Sequence, residues 1–135
     1  HAYLSAGVND ITGDGTNYTV VWDAERFDQG GDFASNTFTA PISGRYLLSF
    51  HFSTSTGIDT SVDTVATYIV TSDVTFTTLM SDTNDMGYVR HSSIAVVCNM
   101  DAADTATTAV QIVGGAATVD LEATGYTHFS GCLIA

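Results

Sequence analysis

The sequence predicts an all-β fold, a sandwich or barrel with the jelly roll as its leading form. Three observations carry this. Thr, Ser, Val, Ile, Tyr and Phe recur in short runs, the composition that suits a pleated, half-buried surface. Turn clusters break these runs roughly every ten residues, as in sandwiches and barrels. No stretch sustains the apolar period of an amphipathic helix. With 135 residues, 44% of them apolar and 13% charged, the chain forms one globular domain, 1–135, long enough to bury one core.

The elements follow in order. Tyr18–Trp22 is apolar and β-branched and reads as a strand. Asn36–Thr39 is a second, closed by the turn residues Ala40-Pro41-Ile42-Ser43-Gly44, which are expected to join two antiparallel strands. The clearest strand is Arg45–Ser53. Tyr46, Leu48, Phe50 and Phe52 fall on one face, large and apolar, and are assigned to the core. Arg45, Leu47, Ser49, His51 and Ser53 fall on the other. Val65–Thr71 and Val74–Leu79 alternate in the same way. Ser92–Met100 is nearly continuous in apolar residues and is expected at the centre of a sheet, buried on both faces. Ala102–Ala109 reads as loop plus strand running into Val110–Val113, and His128–Ile134 closes the chain. With weaker segments included, roughly eight to ten strands imply the sandwich or barrel.

The charge balance excludes some partners. Fifteen acids face three bases, Arg26, Arg45 and Arg90, with no lysine, for a net charge of −12. Such a surface repels phosphate, so neither nucleic acid nor anionic membrane is an expected partner. No apolar run approaches the roughly 20 residues that cross a bilayer as a helix. The chain begins at His1 inside ordinary sequence, and it is expected to be the C-terminal part of a longer protein. Cys98 and Cys132 each sit in an apolar run and read as small buried hydrophobes, with one disulfide as the alternative. They lack the Cys-x-x-Cys spacing of a thiolate metal site.

Four segments together resemble the globular head of the complement component 1q family, within the tumour-necrosis-factor-like superfamily. They are Phe27-Asp28-Gln29-Gly30-Gly31-Asp32-Phe33; Thr37-Phe38-Thr39-Ala40-Pro41-Ile42-Ser43-Gly44-Arg45-Tyr46, similar to F-x-x-P-x-x-G-x-Y; Ser92–Val97 with Asp101–Val110; and Thr127-His128-Phe129-Ser130-Gly131-Cys132-Leu133-Ile134, similar to a closing S-x-F-S-G-x-L strand. His1–Ala6 resembles the usual first strand. The sequence departs from the pattern at Ala103-Asp104, where Gly-Asp is usual, and across Ile58–Thr83. The resemblance implies a ten-stranded jelly-roll sandwich that assembles as a homotrimer, one sheet facing the axis. Leu47, Ser49, His51 and His128 would then lie at the trimer interface. It also implies that the strands of Cys98 and Cys132 are separated by a third. Two steps of about 4.8 Å exceed the roughly 7 Å Cα limit of a disulfide, so free thiols are expected.

The candidate chemistry is sparse. Asp82, Asn84 and Asp85 supply oxygen ligands within four residues, and the resemblance implies calcium at an equivalent apical loop. The competing reading is a solvated turn. Asp101 and Asp104, and Asp10 and Asp14 in a Gly-rich loop, read as solvated loops. His51 and His128 fall on inner-sheet strands and can approach one another. They read as hydrogen-bonded interface histidines, whose protonation near pH 6 would weaken a trimer. A His metal site of the cupin kind would want a His-x-His pair. No nucleophile motif or phosphate loop is present. The resulting expectation is a non-enzymatic trimeric recognition or adhesion head. It would form the tip of a secreted, phage or bacterial surface fibre, extracellular or on a virion, binding a protein or glycan receptor. A structural cap that trimerises an upstream stalk is the alternative, and a jelly-roll metalloenzyme the minor one.

Overall fold

The computed structural model describes residues 1–54, 63–81, 91–123 and 125–135. The described strands are β1 (Ala2–Tyr3), β2 (Val8–Thr12), β3 (Asn17–Thr19), β4 (Ala24–Glu25), β5 (Phe33–Ala34), β6 (Thr37–Thr39), β7 (Gly44–Ser53), β8 (Thr64–Thr71), β9 (Thr75–Ser81), β10 (His91–Met100), β11 (Thr105–Val113), β12 (Val119–Leu121) and β13 (His128–Leu133). The surplus over ten lies in short pieces: β1, β4 and β5 have two residues each. One sheet has the order β10-β7-β13-β1-β4, and the other β5-β6-β11-β8-β9 with β3 beside β11. A small third sheet pairs β12 with β2.

The alternation of β7 decides how the layers stack. Tyr46, Leu48, Phe50 and Phe52 are each at most 1% exposed, because their odd-numbered neighbours point the other way. They meet Val65, Ile69, Val110 and Ile112 of the second sheet in one core. The Trp22 ring stands edge-on to Phe50 at 5.9 Å, and Phe50 lies 6.0 Å from Phe52. One polar pair crosses between the sheets: the Thr67 hydroxyl donates to Ser92 Oγ at 2.6 Å, fully buried, which satisfies both groups.

Several sequence expectations need correction. Ala40–Gly44 does not close a hairpin. β6 belongs to one sheet and β7 to the other, so the segment is a crossover between layers. It is held by Ala40 N donating to Asp104 O and Ala103 N donating to Ala40 O, both at 2.8 Å. Ser92–Met100 is not central either. β10 is an edge strand, paired with β7 alone among the described residues. Tyr18–Trp22 is strand only as far as Thr19. Val20 and Trp22 nevertheless stay buried, the latter anchored by its amide donating to Asn36 Oδ1 at 2.7 Å. The strand of Val110–Val113 begins earlier, at Thr105. Cys98 and Cys132 are free and lie on either side of β7, opposite Tyr46 and Leu47. Cys132 is exposed rather than buried, because it falls on the outward side of its strand.

The departure at Ala103-Asp104 has a backbone consequence. Asp104 N donates to Asp101 O at 3.0 Å, closing a tight turn. The Asp104 carboxylate accepts from Asp101 N and from the Ser72 hydroxyl. Ala103 is thereby held at φ 76°, a left-handed conformation that costs an L-residue about 1–2 kcal/mol. Ala103→Gly removes that cost and adds chain entropy to the unfolded state. The net expectation is a gain of about 0.5–1 kcal/mol, read as a higher urea midpoint at unchanged slope. An equal or lower midpoint would contradict the strained turn.

Candidate functional site

The outward face of the five-stranded sheet differs from the rest of this acidic molecule. Register arranges it in three rows. In the first, Tyr3 stands opposite His128, His128 opposite His51, and His51 opposite Ser93. In the second, Ser49 lies between Ser130 and Ala95. In the third, Leu47 lies between Cys132 and Val97. The rows therefore grade from imidazole, through small side chains, to an apolar strip. Leu47 is 39% exposed and Val97 57%.

All four histidines of the chain join the first row. Ring centroids are 5.5 Å apart for His1 and His128, 5.4 Å for His51 and His128, and 6.1 Å for His51 and His91. His1 and His91 reach the row diagonally. His128 Nδ1 lies 3.1 Å from Gly125 O. A carbonyl only accepts, so Nδ1 carries the proton in that contact and Nε2 is left as the acceptor. Arg26 stacks over Tyr3 at 4.9 Å, and Arg45 sits on the same side of β7 as Leu47. No Asp or Glu occupies this face on any described strand, although the chain has fifteen of them. Two arginines and every histidine are thus gathered on a face without a carboxylate among the described residues.

The electrostatics of His51 follow from this. Burial pushes its imidazole below the ordinary histidine range, and the neighbouring His128 and His91 push it the same way. A base whose folded pKa is depressed binds more protons when unfolded. Its contribution is therefore intact above the unfolded pKa of about 6.5 and is lost as pH falls below it. The thermal midpoint of the chain should fall between pH 7 and pH 5, and His51→Gln should flatten that slope. A slope unchanged in the variant would contradict this reading of His51.

The structure brings Leu47, Ser49, His51 and His128 onto one face. Asp82, Asn84 and Asp85, the calcium candidates, lie outside the described residues. Asp14 is engaged within its own loop, and Asp10 is tied through its backbone amide to Asp120. Asp10 N donates to Asp120 Oδ1 at 2.9 Å, and Asp14 accepts from Thr16 N at 3.0 Å. That Thr16 amide holds the Asp14 carboxyl below its usual range. Among the described residues no three His, Cys, Asp or Glu side chains converge on one point.

No protein-family model matches the chain, and no curated protein matches it in sequence. Solved structures do match. The globular domain of zebrafish complement 1qA protein aligns with 100% of this chain and 98% of its own, at a TM-score of 0.60 and 16% identity. The chain has the complement 1q globular-domain fold.

Several residues of the complement 1q pattern have visible physical roles. The Tyr46 hydroxyl donates to Ile42 O at 2.7 Å and locks the crossover. Gly44 is needed because a Cβ there would lie 2.6 Å from Leu133 Cδ1 and 2.8 Å from Ala135 O. Asp28 accepts from the amides of Asp32 and Phe33 at 3.0 and 3.1 Å and so organises Phe27–Phe33. Burial alone would raise its carboxyl, but those amides hold it below its usual range. The sequence reading missed His1 and His91 as members of the row. Their side of the sheet was legible from alternation with Tyr3 and Ser93, but their ring contacts depend on register, which no sequence spacing fixes.

Proposed function

We propose that the chain is one subunit of a homotrimeric, non-enzymatic recognition head, with the outward face of the five-stranded sheet turned to the threefold axis. Protein or glycan receptors would be taken by the loops and flanks outside that face, in an extracellular or virion-surface setting. One observation carries the reading. β10 carries Ala95 and Val97 on its outward side beside Leu47 of β7, and in the single chain this apolar strip is open to water. A ten-residue edge strand of this kind invites pairing and is normally covered. A second copy covers it without a new sequence element. The charge distribution agrees: three copies of net −12 can meet closely only through a surface that carries no carboxylates. Among the described residues no helix is long and apolar enough to cross a membrane.

Glycan-array and cell-surface binding of the unmodified chain test the recognition role. Binding is expected, and a monomeric variant should lose on the order of a hundredfold in avidity. A trimer silent against every receptor class would replace recognition with the stalk-capping role.

A further inference from the structure

We propose that the row of four histidines makes the assembly acid-labile, so that protonation between about pH 7 and pH 5 drives the copies apart. This rests on the trimeric reading above. Neutral imidazoles can be buried between copies as stacked, partly apolar rings. Protonated ones cannot, because each adjacent pair is only 5.4–6.1 Å apart and like charges at that range disfavour one another's ionisation.

Among the described residues, the groups facing the row offer no relief. On β1, Tyr3 brings a phenol rather than a carboxylate, and the His1 backbone nitrogen donates to Phe27 O at 2.8 Å. Beyond β4 stands the Arg26 guanidinium. β7 adds Arg45, and β10 adds only uncharged side chains beyond His91. From the second sheet, Thr78 and Met80 of β9 border His51 and His91, and both are neutral. Asp28 borders the same pocket as His1, but its oxygens accept from its own loop amides. The depressed basicity of His51 in the single chain already points the same way. The rings lie in a line rather than around a centre, and no three ligating groups converge among the described residues. The row is therefore assigned to proton sensing rather than to metal binding.

The whole-molecule charge works in the opposite direction. Protonating four histidines lowers a net charge of −12, which would ease long-range repulsion between copies. Local charges inside the roughly 8 Å screening length of physiological salt outweigh more distant, screened ones. Acid dissociation at that ionic strength is thus a specific expectation and not a consequence of net charge.

The test is the light-scattering mass of the full chain from pH 8 to pH 5, at physiological salt and micromolar concentration. A trimer at pH 8 that dissociates towards pH 5 is expected. If one imidazole per copy shifts by one unit, the trimer association constant falls on the order of several hundredfold at pH 5. The double variant His51→Gln with His128→Gln should remain trimeric at pH 5. Should it fail to fold, the single variant His91→Gln, at the exposed end of the row, should move the dissociation midpoint to lower pH. A trimer equally tight at both pH values overturns the acid switch and leaves the trimer standing. A monomer at both overturns the trimeric reading together with it. Dissociation that the variants do not alter overturns the assignment to these histidines.

Discussion

Phe50→Ala is expected to destabilise the domain by about 3–5 kcal/mol, a large fraction of the about 5–15 kcal/mol typical of a domain. The Phe50 side chain is 1% exposed, pairs across the strand with Phe129, and receives the edge of Trp22. Truncation removes the apolar transfer energy and leaves a cavity that the two sheets cannot close, since both are held by continuous ladders on either side. Urea unfolding at constant slope measures it. A loss below about 1 kcal/mol would mean that the core is not centred on this cluster. Phe50→Leu, which keeps much of the volume, should cost markedly less.

Leu47→Asp is expected to abolish assembly while the single chain stays folded. Leu47 is 39% exposed in the chain, so a carboxylate there stays in water in a monomer and costs its fold little. In a trimer the substitution puts one carboxylate per copy onto a face that otherwise has none, between Cys132 and Val97. Desolvating unpaired charges against one another costs several kcal/mol. Circular dichroism should match the unmodified chain while the mass in solution falls to that of one copy. A folded Leu47→Asp chain that still associates would mean that another surface carries the assembly.

Both predictions rest on β7, the element most legible in the sequence. Its alternation separated Tyr46, Leu48, Phe50 and Phe52 from Leu47, Ser49 and His51, because a strand with one buried face writes its register into side-chain type. The same logic misled at β10. An apolar run of Ser92–Met100 reads as a central strand, yet the strand is at an edge. Its inward side, Ile94, Val96 and Met100, packs towards the core while Ala95 and Val97 on the other side are exposed, and a run of apolar letters does not record whether a strand has one ladder partner or two. Ala40–Gly44 reads as a turn between two antiparallel strands but crosses between layers, because turn residues report a change of direction and not the layer to which the chain returns. β2, β5 and β12 carry too few apolar residues to stand out. β2 and β12 are held by pairing with each other across the chain, as Val119 and Leu121 pair with Thr12 and Val8, whereas β5 pairs with its neighbour β6. The histidine row is half legible: the family resemblance puts His51 and His128 on strands of one sheet, but only register makes those strands neighbours and brings His1 and His91 beside them.

Sedimentation equilibrium of the unmodified chain at pH 8 tests the central claim most directly. A single species of three times the 14.2 kDa chain mass is expected, with no lighter component at micromolar concentration. A species of 14.2 kDa that persists as concentration rises would contradict it, because Leu47, Val97 and the histidine row would then face water with nothing to cover them.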